Sequence, residues 1–338
     1  MQIIFINPPF KTEYGRFSRE SRSPAITKSG ALYYPLWLIY SAAYAEKKGH
    51  AVTLIDSPAK SLDVEQTLAE VAKAAEKERI LFVLDTSTPS IYSDVEFGGR
   101  LKALYPDSFV VLVGTHPSAL PDETLAISDK IDGVARKEFD LIIEELASTL
   151  AQSGDLKQVR GLTWRNGREI ISNEDMPYME DLDELPYAAE FIKKHMCEKD
   201  YFFAAATYPS IQIFTGRGCP FQCNFCVYPQ VMHGHVFRKR SAENVVGEFQ
   251  YIADHFPDVH EVVIEDDTFT ADKTRVLDIC RLLVERKLNK RLRWLCNARV
   301  NLDYETMRAM HKAGCRLIIP GIETGSQTIL NNIQKGTK

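Results

Sequence analysis

The chain has 338 residues, 45% of them hydrophobic and 26% charged, with a formal net charge of −5 at pH 7. This length calls for more than one core, and the composition is that of a globular protein. An acidic balance excludes a nucleic-acid backbone as main partner, because there is no cationic excess to displace counterions. No apolar run approaches the roughly 20 residues that cross a bilayer, and "MQIIFINPPF" lacks the basic n-region of a signal peptide. The expected location is the cytoplasm.

Residues 1–150 alternate strand and helix. The runs "IIFI", "AVTLI", "ILFVL" and "FVVLVG" read as strands buried on both faces. Between them, "PLWLIYSAAYAEKK" and "DVEQTLAEVAKAAEKE" read as helices, the first stopped at Gly49 after Lys47 and Lys48. This alternation predicts a doubly wound parallel sheet of Rossmann or flavodoxin type, with ligands outside the carboxyl ends of its strands. There the sequence places "NPPF" with Asn7, Pro8 and Pro9, then "DTSTPS" with Thr86, Ser87 and Thr88, then "GTHPSALP" with Gly114, Thr115 and His116. Ordinary turn chemistry is the competing reading, since such residues fill loops anyway.

"INPPF", "YYPLWLIYSAAYAEKKGHAVTLID", "TSTPS" and "GTHPSALPDE" resemble the cobalamin-binding domain that opens class B radical S-adenosylmethionine (SAM) enzymes. The resemblance implies a corrin and its nucleotide tail held by those strand-end residues. Where relatives carry a Gly-Glu-rich turn this chain has "ARKEFD", so contacts from Arg136 to Asp140 are not carried over. It has no Asp-x-His-x-x-Gly stretch either, so the implied cobalamin is base-off without a histidine beneath the metal. His116 is then a polar loop contact, with cobalt ligation as the alternative.

"VRGLTWRNGREIISN" predicts a hairpin turning at Asn166-Gly167. "DMPYMEDLDELPYAAE", acidic and with two prolines, predicts an exposed crossing segment. Residues 151–200 are therefore read as hairpin and linker, and 201–338 as a second domain.

In that domain "IQIFTGRGCP", "EVVIED", "RLRWLCNA" and "CRLIIPG" read as strands, separated by helices capped by Ser241 and Asp303. Functional residues of such β/α repeats belong at the carboxyl ends of strands. All seven cysteines lie from Cys197 onward, an odd number that makes a poor disulfide framework. Cys197, Cys280, Cys296 and Cys315 read as small buried hydrophobes. Cys219, Cys223 and Cys226 stand in Cys-x3-Cys-x2-Cys, a loop that wraps three corners of a 4Fe–4S cube and leaves one iron open. A zinc site completed by His233 or His235 is the alternative.

"GCPFQCNFC" is similar to the radical SAM signature, including Phe225 before the last cysteine. The resemblance implies SAM chelating the open iron, its ammonium near Glu265, Asp266 and Asp267, its carboxylate held by Arg299, and its ribose by Glu323. A solvated acidic turn, a surface salt bridge and a helix-start carboxylate are the respective alternatives. It also implies a low-potential electron donor of flavodoxin or ferredoxin type and a small-molecule or peptide substrate. Methyl transfer to an unactivated carbon is the implied outcome; ring closure or rearrangement without methyl transfer is the runner-up. Absence of cysteines before Cys197 argues against a tRNA methylthiolating enzyme, which carries a second cluster there. Four strands are counted where the family builds six. The expectation is therefore a partial (β/α) barrel, in a fragment or a shortened chain that binds SAM weakly, and a non-enzymatic cobalamin-binding protein is the remaining alternative.

Overall fold

Strand β1 (Gln2–Asn7) is buried at every position. It pairs in parallel with β2 (Ala51–Asp56) on one side and β3 (Ile80–Asp85) on the other. The computed structural model, which describes residues 1–19, 24–27, 29–76 and 79–338, adds β4 (Phe109–Val113) and β5 (Gly133–Ala135), also in parallel. The chain leaves β1 in one direction and returns for β3 on its other side, so β1 and β3 flank the switch point where a crevice forms.

Helix α1 (Leu36–Lys47) buries ten of its twelve residues, and α2 (Val64–Ala74) starts at an Asp63–Gln66 capping box. The last residues of the second expected helix, 77 and 78, lie outside the described residues. Helix α3 (Ile91–Leu104) approaches the sheet at Gly98, where a Cβ would lie 2.7 Å from Ile131 and 3.1 Å from Leu84. Helix α4 (Asp140–Ala151) packs on α1.

The hairpin at Asn166-Gly167 forms as predicted, from β6 (Leu162–Asn166) and β7 (Glu169–Ser172). It does not act as a linker. β6 pairs antiparallel with β5, completing a seven-stranded sheet in the order β2-β1-β3-β4-β5-β6-β7. The chain divides into two units, Met1–Met179 and Glu180–Lys338.

The second unit is built on four parallel strands, β8 (Ser210–Ile213), β9 (Glu261–Ile264), β10 (Arg293–Arg299) and β11 (Cys315–Gly321), hydrogen-bonded in that order. These are the four strands read from the sequence. Helices α5 (Ala242–His255), α6 (Lys273–Glu285) and α7 (Tyr304–Lys312) connect them, capped by Ser241, Asp272 and Asp303. A short helix, α8 (Gln327–Asn332), follows β11. Trp294 on β10 is fully buried, with Nε1 donating to the Ala313 carbonyl at 3.0 Å.

Two expectations are corrected. The segment 175–190 is not simply exposed: Met179, Leu182, Leu185, Ala188 and Ala189 are buried, because its apolar residues outweigh the acidic ones between them. Cys197 is exposed, in a turn after a short helix (Ala188–His195), whereas Cys280, Cys296 and Cys315 are buried as expected. Among the described residues no helix is long and apolar enough to cross a membrane.

Candidate functional site

The three clustered cysteines lie just past β8, and the residues ahead of them explain how the loop is shaped. Thr215 donates to the Asp266 carboxylate through its backbone N–H at 2.6 Å and its hydroxyl at 2.5 Å. Gly216–Arg217 pairs antiparallel with Arg238–Lys239. Gly218 has φ +84°, and a Cβ there would lie 2.1 Å from the Val236 carbonyl oxygen, so only glycine fits. Its N–H donates to His233 Nδ1 at 3.1 Å, and the Cys219 N–H donates to the Gly234 carbonyl at 3.2 Å. Farther along, Asn224 donates through its backbone to Ile333 and through its side chain to Asn332, bracing the loop against the end of α8.

None of the three is in a disulfide, and all are partly exposed. Cys219 Sγ lies 3.8 Å from Thr268 Oγ1, and Arg299 Nη1 lies 4.0 Å from Cys223 Sγ. The Arg299 guanidinium stacks 3.6 Å from the Phe221 ring centroid. Burial pushes the Cys219 thiol up, so as a free group it stays protonated. Around the loop five arginines, Arg217, Arg238, Arg240, Arg275 and Arg299, are buried. The buried carboxylates beside them are Asp266, bonded to Thr215, and Glu248, paired with Arg240 at 2.5 Å.

The zinc alternative is not supported by this geometry. His233 is buried, its Nδ1 taken by Gly218 and its Nε2 by Asp267 Oδ2 at 2.8 Å, while His235 Nδ1 meets the Phe221 carbonyl at 3.0 Å.

The residues read as SAM contacts gather at the ends of β9, β10 and β11, with roles the sequence did not show. Asp266 is buried and its two oxygens are bonded to Thr215, so in this structure it clamps the cysteine loop. Glu265 and Asp267 flank it. Arg299 is buried rather than in a surface salt bridge, and Nη2 donates to the Lys335 carbonyl. Glu323, at φ +63°, pairs with Lys335 Nζ at 2.7 Å. Phe225 is 55% exposed. Thr215, Thr268, Arg275 and Lys335 were missed, and His233 was read only as a possible zinc ligand; each acts through a partner distant in sequence, which no local pattern reveals.

In the first unit, the switch-point crevice brings together the ends of β1, β3 and β4. Asn7 donates to Asp56 Oδ1 at 2.9 Å and accepts from Arg19 at 2.7 Å. Arg19 also donates to the Pro8 carbonyl at 2.7 Å and pairs with Asp94 at 2.6 Å, while Ser90 donates to the other oxygen of Asp94 at 2.6 Å. Asp85, at the end of β3, is buried, and its Oδ2 has no partner among the described residues. Burial raises Asp85 to about 7 against the opposing pull of Arg19, and raises Asp94 to about 6. Gly114 has φ +110°; a Cβ there would lie 2.3 Å from the Thr86 carbonyl and 3.1 Å from Asp85 Oδ1. His116 Nδ1 lies 3.2 Å from Thr88 Oγ1, and burial pushes the imidazole down. Thr86 and Ser87 are buried, whereas Thr88 is exposed. A cleft of about 370 Å³ opens beside the crevice between Pro9–Glu13, the start of α2 and α3.

Two family models match the chain, the B12 binding domain over residues 22–147 and the Radical SAM superfamily over residues 213–338. Each match falls within one unit. The chain belongs to the cobalamin-binding radical SAM family, whose cofactors are cobalamin, SAM and a 4Fe–4S cluster. It is 28% identical over 338 residues to an uncharacterized methyltransferase of Pyrococcus horikoshii, covering 99% of this chain and 68% of that protein. It is 26% identical over 346 residues to the anaerobic magnesium-protoporphyrin IX monomethyl ester cyclase of Cereibacter sphaeroides, covering 100% of this chain and 53% of the cyclase.

Among solved structures, the cobalamin-dependent SAM radical enzyme OxsB, with aqua-cobalamin and SAM bound, matches with a TM-score of 0.78 at 17% identity, over 100% of this chain and 46% of OxsB. The radical SAM methyltransferase TsrM of Kitasatospora setae matches with a TM-score of 0.72 at 16% identity, over 97% of this chain and 60% of TsrM. These two are likenesses of fold. The chain spans about half to two thirds of the length of these relatives.

The residues present fit both groups. Three thiols on one loop, none in a disulfide, with a hydroxyl and a guanidinium at two of the sulfurs, are the donor set of a cluster with one open iron. In the crevice, the unpartnered Asp85 oxygen is a buried polar atom with its hydrogen-bonding capacity unused, and the glycine required at 114 brings the end of β4 against Thr86.

Proposed function

We propose that this chain is the cobalamin- and cluster-binding part of a radical SAM enzyme that transfers a methyl group to an unactivated carbon. The observation that carries the reading is the cysteine loop at the carboxyl end of β8, built around a glycine and clamped by Asp266, with Arg299 and Thr268 at its sulfurs. When bound, the cluster and SAM supply a carbon-centred radical, and cobalamin supplies a transferable methyl group.

This chain's residues do the rest. Cys219, Cys223 and Cys226 hold three irons. Asp267 and Glu265 would accept from the SAM ammonium, a charge-assisted contact, and Glu323, paired with Lys335, would accept from the ribose. Asp85, Thr86 and Gly114 meet the corrin or its tail. Thr88 orients His116, which acts as a loop contact and not as a cobalt ligand. A low-potential donor of flavodoxin or ferredoxin type supplies the electron, and the substrate is a small molecule or peptide.

Ring closure without methyl transfer is the second reading, supported by the 26% identity to a cyclase along the whole chain. Methyl-labelled SAM separates the two without knowledge of the substrate. In reduced, cobalamin-loaded protein, label passing to the cobalamin supports methyl transfer. Formation of 5′-deoxyadenosine with unlabelled cobalamin favours ring closure. Failure to take up about four irons and four sulfides per chain under anaerobic reconstitution would overturn both.

A further inference from the structure

His233 stands between the cysteine loop and the acidic end of β9. Its imidazole is 3% exposed and stacked on Tyr228 at 5.9 Å between ring centroids, with a polar partner at each nitrogen. Nδ1 faces the Gly218 N–H at 3.1 Å. An N–H can only donate, so Nδ1 must be the unprotonated nitrogen and the ring proton sits on Nε2. Nε2–H then donates to Asp267 Oδ2 at 2.8 Å. The tautomer is fixed by the backbone of the residue directly before Cys219, and its effect is delivered to a carboxylate 13% exposed at the end of β9.

The histidine is held in turn. Arg238 donates to its carbonyl at 3.2 Å, and the Gly218 carbon lies so close to Val236 and His233 that no side chain is admitted there. The short stretch Pro229–His233 thus folds back over the loop to place one ring between two groups 49 residues apart in sequence, Gly218 and Asp267.

We propose that His233 is a positioning residue that couples the cysteine loop to Asp267, so that a correctly formed loop fixes the carboxylate that receives the SAM ammonium. This rests on the SAM-binding reading above. His233 touches neither cofactor; it acts by donating a hydrogen bond that favours one rotamer of Asp267. Removing that bond loosens Asp267 and weakens SAM binding without disturbing the cluster, because the loop keeps its bonds at Thr215, Cys219 and Asn224.

The two bonds can be cut separately. In His233→Asn the amide oxygen can take the place of Nδ1 at Gly218, but the shorter side chain no longer reaches Asp267. In His233→Gln the amide N–H stands where Nε2–H stood. The full chain, reconstituted anaerobically with iron and sulfide, is assayed for iron content and for the change in the reduced-cluster electron paramagnetic resonance signal on titration with SAM. His233→Asn should keep wild-type iron content while its SAM Kd rises about tenfold, the scale of one hydrogen bond to a charged group. His233→Gln should recover most of that affinity. Asp267→Asn should weaken SAM binding by a similar factor, and combining it with His233→Asn should add little, since the two changes cut one path.

A wild-type chain that loads cluster and binds SAM, beside a His233→Asn chain of equal SAM affinity, overturns this inference alone. So do additive effects of the two substitutions. A wild-type chain that takes up no cluster or binds no SAM overturns the functional reading, and this inference with it. Should His233→Asn fail to fold, Asp267→Asn and His233→Gln decide: unchanged SAM affinity in Asp267→Asn sinks the proposal.

Discussion

Asp266 holds Thr215 by two hydrogen bonds, from the backbone N–H at 2.6 Å and from the hydroxyl at 2.5 Å, across 51 residues of sequence. Arg275 grips the same residue from the other side, donating to the Thr215 carbonyl at 2.5 Å and hydroxyl at 2.6 Å. Removing the carboxylate strands a buried guanidinium and two donors. Asp266→Ala should cost about 3–5 kcal/mol by chemical denaturation and abolish iron uptake, while Asp266→Asn, which keeps the shape, should retain part of both. Wild-type stability in Asp266→Ala would refute the clamp.

Gly218 is the backbone hinge of the same loop. Gly218→Ala should lose more than about 2 kcal/mol through strain at positive φ and overlap with Val236. Iron content should fall with it, whereas Gly325→Ala, where a Cβ meets nothing within 4 Å, should change neither. Equal iron uptake by the two variants would show that the glycine is incidental.

The guanidinium 4.0 Å from Cys223 Sγ favours the more negative, reduced cluster. Arg299→Met should therefore lower the midpoint potential, by a shift on the order of 50 mV, in a titration followed by electron paramagnetic resonance. A potential within error of wild type would exclude Arg299 from tuning the cluster.

Asp85 gives a pH dependence of known sign. Burial, set against Arg19 and reinforced by Asp94 and Asp56, raises it to about 7 in the folded chain. The unfolded carboxylate titrates near 4, so the native state holds a proton that the unfolded state has released. Stability from this group is full below about pH 4 and is lost as pH rises to about 7. Asp85→Asn cannot lose it. The variant should match wild type at about pH 4 or below, begin to exceed it by pH 5, and exceed it at pH 8 by an amount on the order of a few kcal/mol. A difference that does not grow with pH would contradict the assignment.

For the first unit, Cob(II)alamin bound to the full chain should show no nitrogen superhyperfine splitting, and His116→Ala should leave the spectrum unchanged. A three-line nitrogen pattern that disappears in His116→Ala would make that imidazole a cobalt ligand.

The parts legible in the sequence were those that depend on neighbours along the chain. β1 to β4 and β8 to β11 were readable because a strand buried on both faces is a continuous apolar run, and Ser241 and Asp303 were readable because they cap helices through bonds three residues long. Cys219, Cys223 and Cys226 were readable because one loop supplies all three. β5 was missed, since its three residues gain strand character only between β4 and β6. The Arg19–Asp94 pair spans 75 residues and Asp266–Thr215 spans 51, so neither leaves a spacing to read. The acidic run at 265–267 was seen as one feature, yet the fold divides it: Asp266 turns inward to Thr215, and Asp267 meets His233.

The five buried arginines around the cysteine loop bear on how the protein is handled and kept. A metal-free chain concentrates like charge there, with Asp266 and Glu248 as the buried carboxylates beside it. Three thiolates and their bridging sulfides bring negative charge to that place, so loading iron and completing the fold become one linked equilibrium. Oxygen damage should then register as a loss of conformational integrity as well as of colour. Protein prepared in air should be more readily cleaved by proteases near residues 216–240, and multivalent anions should protect it by standing in for the missing charge.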